Sequence, residues 1–334
     1  MRNKVLLLIN TGTPEKPELK EVRSFLSEFL NDKRVIDLPW LIRKILVNLI
    51  IVPFRSPKST RLYKKVWSDK GSPLLFNLNN LVAKVQSQLN DEYQVYGAMR
   101  YGKPSLDEIL KYLKTRSPEK IVIFPLYPHY ASSTTGSVNS YIMKEIKSWN
   151  IIPEVVFTGQ FYSHPSYIST LAQKIKKYDY SKVDHILFSY HGLPLSHIRK
   201  IHPDIDCSLC KCDEKFPERG GFCYKATCYE TSRLIAAELK LKQGGFSTSF
   251  QSRLSKDWLS PFTDNTLKIL AGEGKKRVLV VAPSFVADCL ETIIEINEEY
   301  QLLFQNAGGS GIIPVESLND DENWAEAIIK IAGL

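Results

Sequence analysis

The sequence predicts an α/β protein of two doubly wound domains with parallel sheets. Three observations point there. At 334 residues the chain exceeds the size at which a single hydrophobic core stops growing. Short aliphatic or β-branched runs recur along it, separated by segments of helical length. The runs are continuously apolar, as strands covered by crossover helices on both faces must be.

The first run, Val5–Asn10, opens the chain. Its apolar stretch ends at Ile9 with no small-residue cleavage site after it, so a buried strand is expected and not a targeting segment. Further strands are expected at Tyr93–Met99, Lys120–Phe124, Glu154–Thr158, His185–Tyr190, Ser247–Gln251 and Arg277–Ala282. Helices are expected at Asn77–Leu89, Ser105–Leu113, Pro165–Lys177 and Tyr229–Leu241. About three strands precede residue 150 and about four follow. The expected domains are therefore residues 1–150 and 151–310, with 311–334 packing back on the first.

Trp40 to Phe54 is the longest apolar stretch, but Arg43, Lys44, Asn48 and Pro53 interrupt it. It is too short and too charged to span a bilayer, and a buried or interfacial helix is expected. The net charge of +8 suits an anionic partner. The Lys and Arg residues are scattered, however, which argues against nucleic acid. No Gly-x-Gly-x-x-Gly follows a strand and no phosphate loop appears, so nucleotide cofactors are disfavoured. Gly272-Glu-Gly274 precedes a strand and reads as a helix C-cap turn.

In such sheets ligands bind beyond the carboxyl ends of the strands. Three loops there are unusual: Thr11 to Pro14, Pro125 to Gly136 and His191 to Pro194. His191 ends a strand and begins the turn His-Gly-Leu-Pro. A neutral imidazole there accepts a proton or binds a metal; a turn histidine bonded to backbone is the alternative. Glu291, Glu295 and Glu299 recur every four residues and stack on one helical face. They form either an acidic outer face or a line of oxygen ligands for a divalent cation. Five cysteines, Cys207, Cys210, Cys212, Cys223 and Cys228, lie within one short insert. With no secretory signal, that density points to metal before disulfides. Spacing does not separate a [2Fe–2S] cluster from structural zinc.

Read together, these segments resemble the ferrochelatase family over nearly the whole chain. The resemblance rests on Leu187-Phe-Ser-Tyr-His-Gly-Leu-Pro194, on Gln251-Ser-Arg with Trp258-Leu-Ser-Pro261, and on Phe285-Val-Ala-Asp-Cys-Leu-Glu-Thr292. Gly97-Ala-Met-Arg-Tyr101, Pro125-Leu-Tyr-Pro-His-Tyr130 with Ser133-Thr-Thr-Gly136, and Gly71-Ser-Pro-Leu74 match as well. It implies two Rossmann-like, chelatase-like domains with a porphyrin cleft between them, and insertion of ferrous iron into protoporphyrin IX in haem synthesis. His191 matches the family's active-site histidine and Glu291 its acidic counterpart. Together they are assigned to pyrrole deprotonation and metal delivery, with Glu295 and Glu299 continuing the carboxylate line for the substrate iron. Thr11, Arg100, Tyr101, Tyr127, Ser133, Trp258 and Phe285 match porphyrin-lining positions. Residues 40–55 match the lip at the pocket mouth, which touches lipid in membrane-associated members.

Two departures stand out. Cys289 replaces a histidine found in many relatives, and Ser132 stands where cluster-bearing members often have an internal cysteine. All cluster ligands are thus expected inside the insert at 203–228, as four of its five cysteines, Cys223 and Cys228 among them. The resemblance favours a [2Fe–2S] cluster over zinc or none. It further implies a cytoplasmic protein, peripheral to the inner membrane face through 40–55, with haem-pathway enzymes as partners. Rival readings are a coproporphyrin ferrochelatase, a cobalt or nickel tetrapyrrole chelatase of the same fold, and a non-enzymatic, cysteine-rich metal-binding interaction protein.

Overall fold

The computed structural model describes residues 3–334 apart from 90, 203–205, 208 and 219. The expected cysteine insert at 203–228 therefore begins outside the described residues. The chain forms two compact units. One comprises Met1–Tyr127, Ala131–Gly159 and Asp320–Leu334; the other comprises Pro128–Tyr130 and Gln160–Asn319.

The first unit carries strands β1 (Lys4–Thr13), β2 (Tyr93–Gly102), β3 (Lys120–Pro125) and β4 (Glu154–Phe157) in the order β2-β1-β3-β4. The second carries β5 (His185–His191), β6 (Phe246–Gln251), β7 (Arg277–Val281) and β8 (Gly311–Pro314) in the order β6-β5-β7-β8. All pairings are parallel. Both sheets thus reverse their winding beside their first strand, between β1 and β3 and between β5 and β7. Those switch points open a crevice at the strands' carboxyl ends.

Central β1 shows why the apolar runs are continuous. Leu6 to Ile9 are wholly buried, and Leu8 pairs with Gly97 on one side and Phe124 on the other. Its end is tight as well. Gly12 has φ of +122°, and a Cβ there would lie 1.7 Å from the Tyr101 carbonyl oxygen. No other residue fits.

Glu154–Phe157, a strand as expected, pairs with β3, so the first sheet takes in a strand beyond residue 150 and the first unit runs on to Gly159. The eighth strand, Gly311–Pro314, was not expected. It is four residues long and bounded by Gly and Pro, which erases the usual pattern.

The helices follow their caps. Pro73–Gln88 begins with Pro in its first turn, earlier than its apolar spacing suggests. Leu106–Arg116 starts behind a capping box, in which the Glu108 N–H donates to Ser105 Oγ at 3.1 Å. Pro165–Lys176 lies where expected, while Tyr224–Glu238 starts five residues ahead of the expectation. Gly274, at φ +85°, ends the helix Thr263–Gly272 as its sequence suggests.

Helix Trp40–Ile45 runs through a π-helical stretch, Leu46–Ile51, into Val52–Val66. Trp40, Leu41, Ile42, Leu49, Ile50 and Phe54 are all more than half exposed on it. Among the described residues, no helix is long and apolar enough to cross a membrane.

Candidate active site

In the second unit, β5 delivers His191 to the switch point. The Nδ1 of His191 lies 2.6 Å from the Gly192 carbonyl oxygen. A carbonyl only accepts, so Nδ1 carries the proton and Nε2 of the neutral ring keeps its lone pair. The turn is fixed by Gly192, whose N–H donates to the Gln251 carbonyl at 2.8 Å. A Cβ on Gly192 would sit 2.8 Å from that same oxygen and 3.3 Å from the Trp258 ring. The rings of Trp258 and Phe285 flank the imidazole, with centroids 6.3 and 6.0 Å away. Three expected site residues thus converge.

The helix beginning at Glu291 departs from expectation in its geometry. Glu291–Tyr300 is π-helical, a wider turn with i→i+5 bonds that recurs at functional sites. Glu291, Glu295 and Glu299 nonetheless differ in their surroundings. Glu291 is half-buried and takes a hydrogen bond from the Cys289 thiol. Burial, then the Glu291 charge, pushes that thiol well above its ordinary pKa. Glu299 is exposed and lines a surface depression with Lys268 and Leu302.

Glu295 is the most heavily bonded carboxylate of the three. Its Oε1 accepts the Ser252 N–H at 2.8 Å and the Tyr300 hydroxyl at 2.6 Å. Its Oε2 accepts the Gln251 amide at 3.2 Å and the Ser252 hydroxyl. A carboxylate offers about four lone-pair sites, and all are taken. Gln251 also donates to the Glu291 carbonyl at 3.2 Å, tying β6 to the start of the π-helical stretch.

In the first unit, Thr11 and Tyr127 flank the other switch point, and their hydroxyls are 2.9 Å apart. Burial raises the Tyr127 phenol above its usual pKa. Arg100 and Tyr101 meet on a residue the sequence did not flag. Asp32 Oδ2 accepts from the Arg100 guanidinium at 2.8 Å, the Tyr101 hydroxyl at 2.9 Å and the Ser137 hydroxyl at 2.6 Å. Burial alone would raise the Asp32 carboxyl, but the Ser137, Arg34 and Tyr101 hydrogen bonds with the Arg100 charge hold it below its ordinary value. Arg100 also stacks on Tyr141, its guanidinium carbon 4.5 Å from the ring centroid. Ser133 lies half-buried in the π-helical turn Ser132–Gly136. Asp32 belongs to the polar stretch Asn31-Asp-Lys-Arg34, which carries no periodicity to single it out.

The cysteines surround the start of the helix Tyr224–Glu238. Cys207, Cys212, Cys223 and Cys228 are buried and Cys210 is half-buried; none is in a disulfide. Burial raises the thiols of Cys207, Cys212 and Cys223, and Lys225 opposes it at each. Cys210 hydrogen-bonds Cys212 and interacts electrostatically with Cys207 and Cys223. Cys228 is wholly buried, lies against the Tyr224 hydroxyl and interacts electrostatically with Cys223 and Cys212. Among the described residues, no three His, Cys, Asp or Glu side chains form a ready site for one metal ion.

A family model described as Ferrochelatase matches residues 3–333. The ferrochelatase of Legionella pneumophila (strain Paris) is 43% identical over 327 residues, 98% of this chain and 97% of that protein. That of Coxiella burnetii (strain CbuK_Q154) is 40% identical over 338 residues, 99% of this chain and 93% of the other. Among solved structures, the sirohydrochlorin chelatase SirB from Bacillus subtilis subspecies spizizenii, in complex with cobalt, superposes with a TM-score of 0.57. It covers 99% of this chain and 94% of its own at 9% identity, a likeness of fold alone.

Proposed function

The chain belongs to the ferrochelatase family, enzymes of haem synthesis that insert ferrous iron into a porphyrin, and from that premise we propose that His191 and Glu291 carry the reaction on protoporphyrin IX. The observation behind this reading is the Nδ1 bond of His191 to Gly192, which leaves Nε2 as a free proton acceptor.

A flat porphyrin hides its nitrogen lone pairs and holds two N–H protons. Binding that bends the ring exposes those nitrogens and moves it toward the transition state. Trp258 and Phe285 offer aromatic surface to the macrocycle beside His191. Nε2 then accepts the two pyrrole protons in turn, releasing the first to water before taking the second. Glu291, an oxygen ligand of weak hold, strips water from the incoming iron and hands it on. Glu299, exposed, meets the hydrated ion. Glu295 has no lone pair to spare, and its part is to hold the π-helical stretch in place. Thr11, Arg100, Tyr101, Tyr127 and Ser133 bind the porphyrin, Arg100 supplying positive charge for its carboxylates.

Cys207, Cys210, Cys212 and Cys223 are proposed to hold a [2Fe–2S] cluster. Such a cluster would take four thiolates; Cys210 interacts with each of the other three, and Lys225 lies near Cys207, Cys212 and Cys223. Among the described residues these thiols form no ready site for a single ion, so holding the cluster would require them to move together. The bound cluster supplies one-electron chemistry and a cross-link within the insert. The exposed apolar face at 40–55, with half-buried Lys44 and exposed Arg55 beside it, suits peripheral contact with an anionic bilayer.

The test is an anaerobic assay with ferrous iron, run in parallel on protoporphyrin and coproporphyrin and against cobalt with a more carboxylated ring. Haem formation from protoporphyrin at the highest kcat/KM is expected. A clear preference for coproporphyrin, or cobalt insertion alone, overturns the substrate assignment.

A further inference from the structure

The second unit holds a pair of hydrogen bonds on the His191 backbone that the reaction as described does not use. The His191 N–H donates to Ser284 Oγ at 3.1 Å. The Ser284 hydroxyl also lies against the Tyr224 phenol. The Tyr224 hydroxyl donates to the His191 carbonyl oxygen at 2.9 Å. Ser284 and Tyr224 thus take up both backbone polar groups of one residue. The Cys228 sulfur lies against the same Tyr224 hydroxyl.

The three residues come from three elements: His191 ends β5, Ser284 follows β7, and Tyr224 is the first residue of the helix Tyr224–Glu238. Tyr224 is itself held. It is nearly wholly buried, and the His129 ring packs against it at 71° with centroids 5.9 Å apart. The direction of the His191 ring depends on its backbone, because its Nδ1 is bound to the next residue's carbonyl.

We infer that Tyr224 is a positioning residue, which with Ser284 locks the His191 backbone and so aims Nε2 at the porphyrin. Tyr224 is also the neighbour of Cys223, so the same bond makes correct folding of the cysteine insert a condition for the alignment of His191. The inference rests on the reading of His191 as the proton acceptor. Misplacing a reacting group by about 1 Å costs on the order of a hundredfold in rate. Loss of one of the two bonds is expected to cost less.

Tyr224→Phe keeps the ring and its packing and removes only the hydroxyl. The expected result is a fall in kcat of about tenfold with the KM for porphyrin unchanged, accompanied by faster hydrogen exchange of the His191 amide. Ser284→Ala should act in the same way, and serves if Tyr224→Phe folds poorly. A kcat within twofold of the parent for both variants overturns the inference, as does a rise in KM at unchanged kcat. His191→Ala is measured alongside: if it retains activity, the proton-acceptor reading fails first. If it is inactive while both other variants are unaffected, only the positioning role fails.

Discussion

Ser252 donates its backbone N–H, at 2.8 Å, to one oxygen of the Glu295 carboxylate and its hydroxyl to the other. Its φ of 62° turns both groups to the same side. A line of glutamates spaced every four residues looks like a relay of equivalent ligands. The bonds from Ser252, Gln251 and Tyr300 set the middle one apart as an anchor.

Glu295→Ala should therefore act on stability more than on iron affinity. It strands several part-buried donors, and hydrogen bonds to a charged group contribute about 1.5–3 kcal/mol each. Urea denaturation should register a loss of about 2–4 kcal/mol, with the KM for iron little changed. A stable variant with a sharply raised KM for iron would restore Glu295 to the ligand line.

The cysteine assignment predicts a split between two kinds of variant. Cys212→Ser or Cys223→Ser should abolish the visible charge-transfer absorption of anaerobically purified protein and lower its iron and sulfide content. Cys228→Ser should leave both intact. Loss of absorption in Cys228→Ser, or zinc in place of iron in the parent, contradicts the assignment.

The apolar face around the Trp40–Ile45 helix predicts surface binding. Trp40 is 65%, Leu49 68% and Phe54 81% exposed, more than water tolerates in a contiguous patch without use. The protein should sediment with anionic vesicles, and Leu49→Glu with Phe54→Glu should release it. Equal sedimentation of parent and variant would remove the membrane from the account.

Acid sensitivity follows from two buried imidazoles. Burial pushes His129 down to about 3, and burial, then the Lys275 charge, takes His185 to about 4. Unfolded histidines protonate near pH 6.5. Below that pH the unfolded chain binds protons that the folded chain refuses, so stability falls as pH falls toward those lower values. The slope approaches about 1.4 kcal/mol per pH unit for each histidine. Denaturation curves at pH 7, 6 and 5 should trace the decline, and His129→Gln should flatten it. An unchanged slope in that variant would mean that other groups govern the acid response.

Much of the fold and part of the site could be read from residue order alone. β1 and β5 are legible because central parallel strands are apolar on both faces, and the His-Gly turn marks where β5 must end. Asp32 and Tyr224 are not legible, since each matters only through residues brought near by folding: Arg100 and Ser137 for one, His191 for the other. The saturation of Glu295 was hidden for a different reason. It depends on a left-handed backbone at Ser252, a conformation that serine seldom adopts and that no local pattern announces. The π-helical winding of Glu291–Tyr300 was hidden likewise, because a four-residue spacing reads as an α-helical face until the i→i+5 bonds are seen.

The most direct test of the central claim is the initial rate of haem formation by His191→Ala, under anaerobic conditions with ferrous iron and protoporphyrin, beside a circular dichroism spectrum of the same preparation. A native spectrum with the rate reduced by about a thousandfold or more is predicted, general-base loss and ring misalignment acting together. A native spectrum with the parent rate would show that the lone pair on Nε2 is not where the pyrrole proton goes.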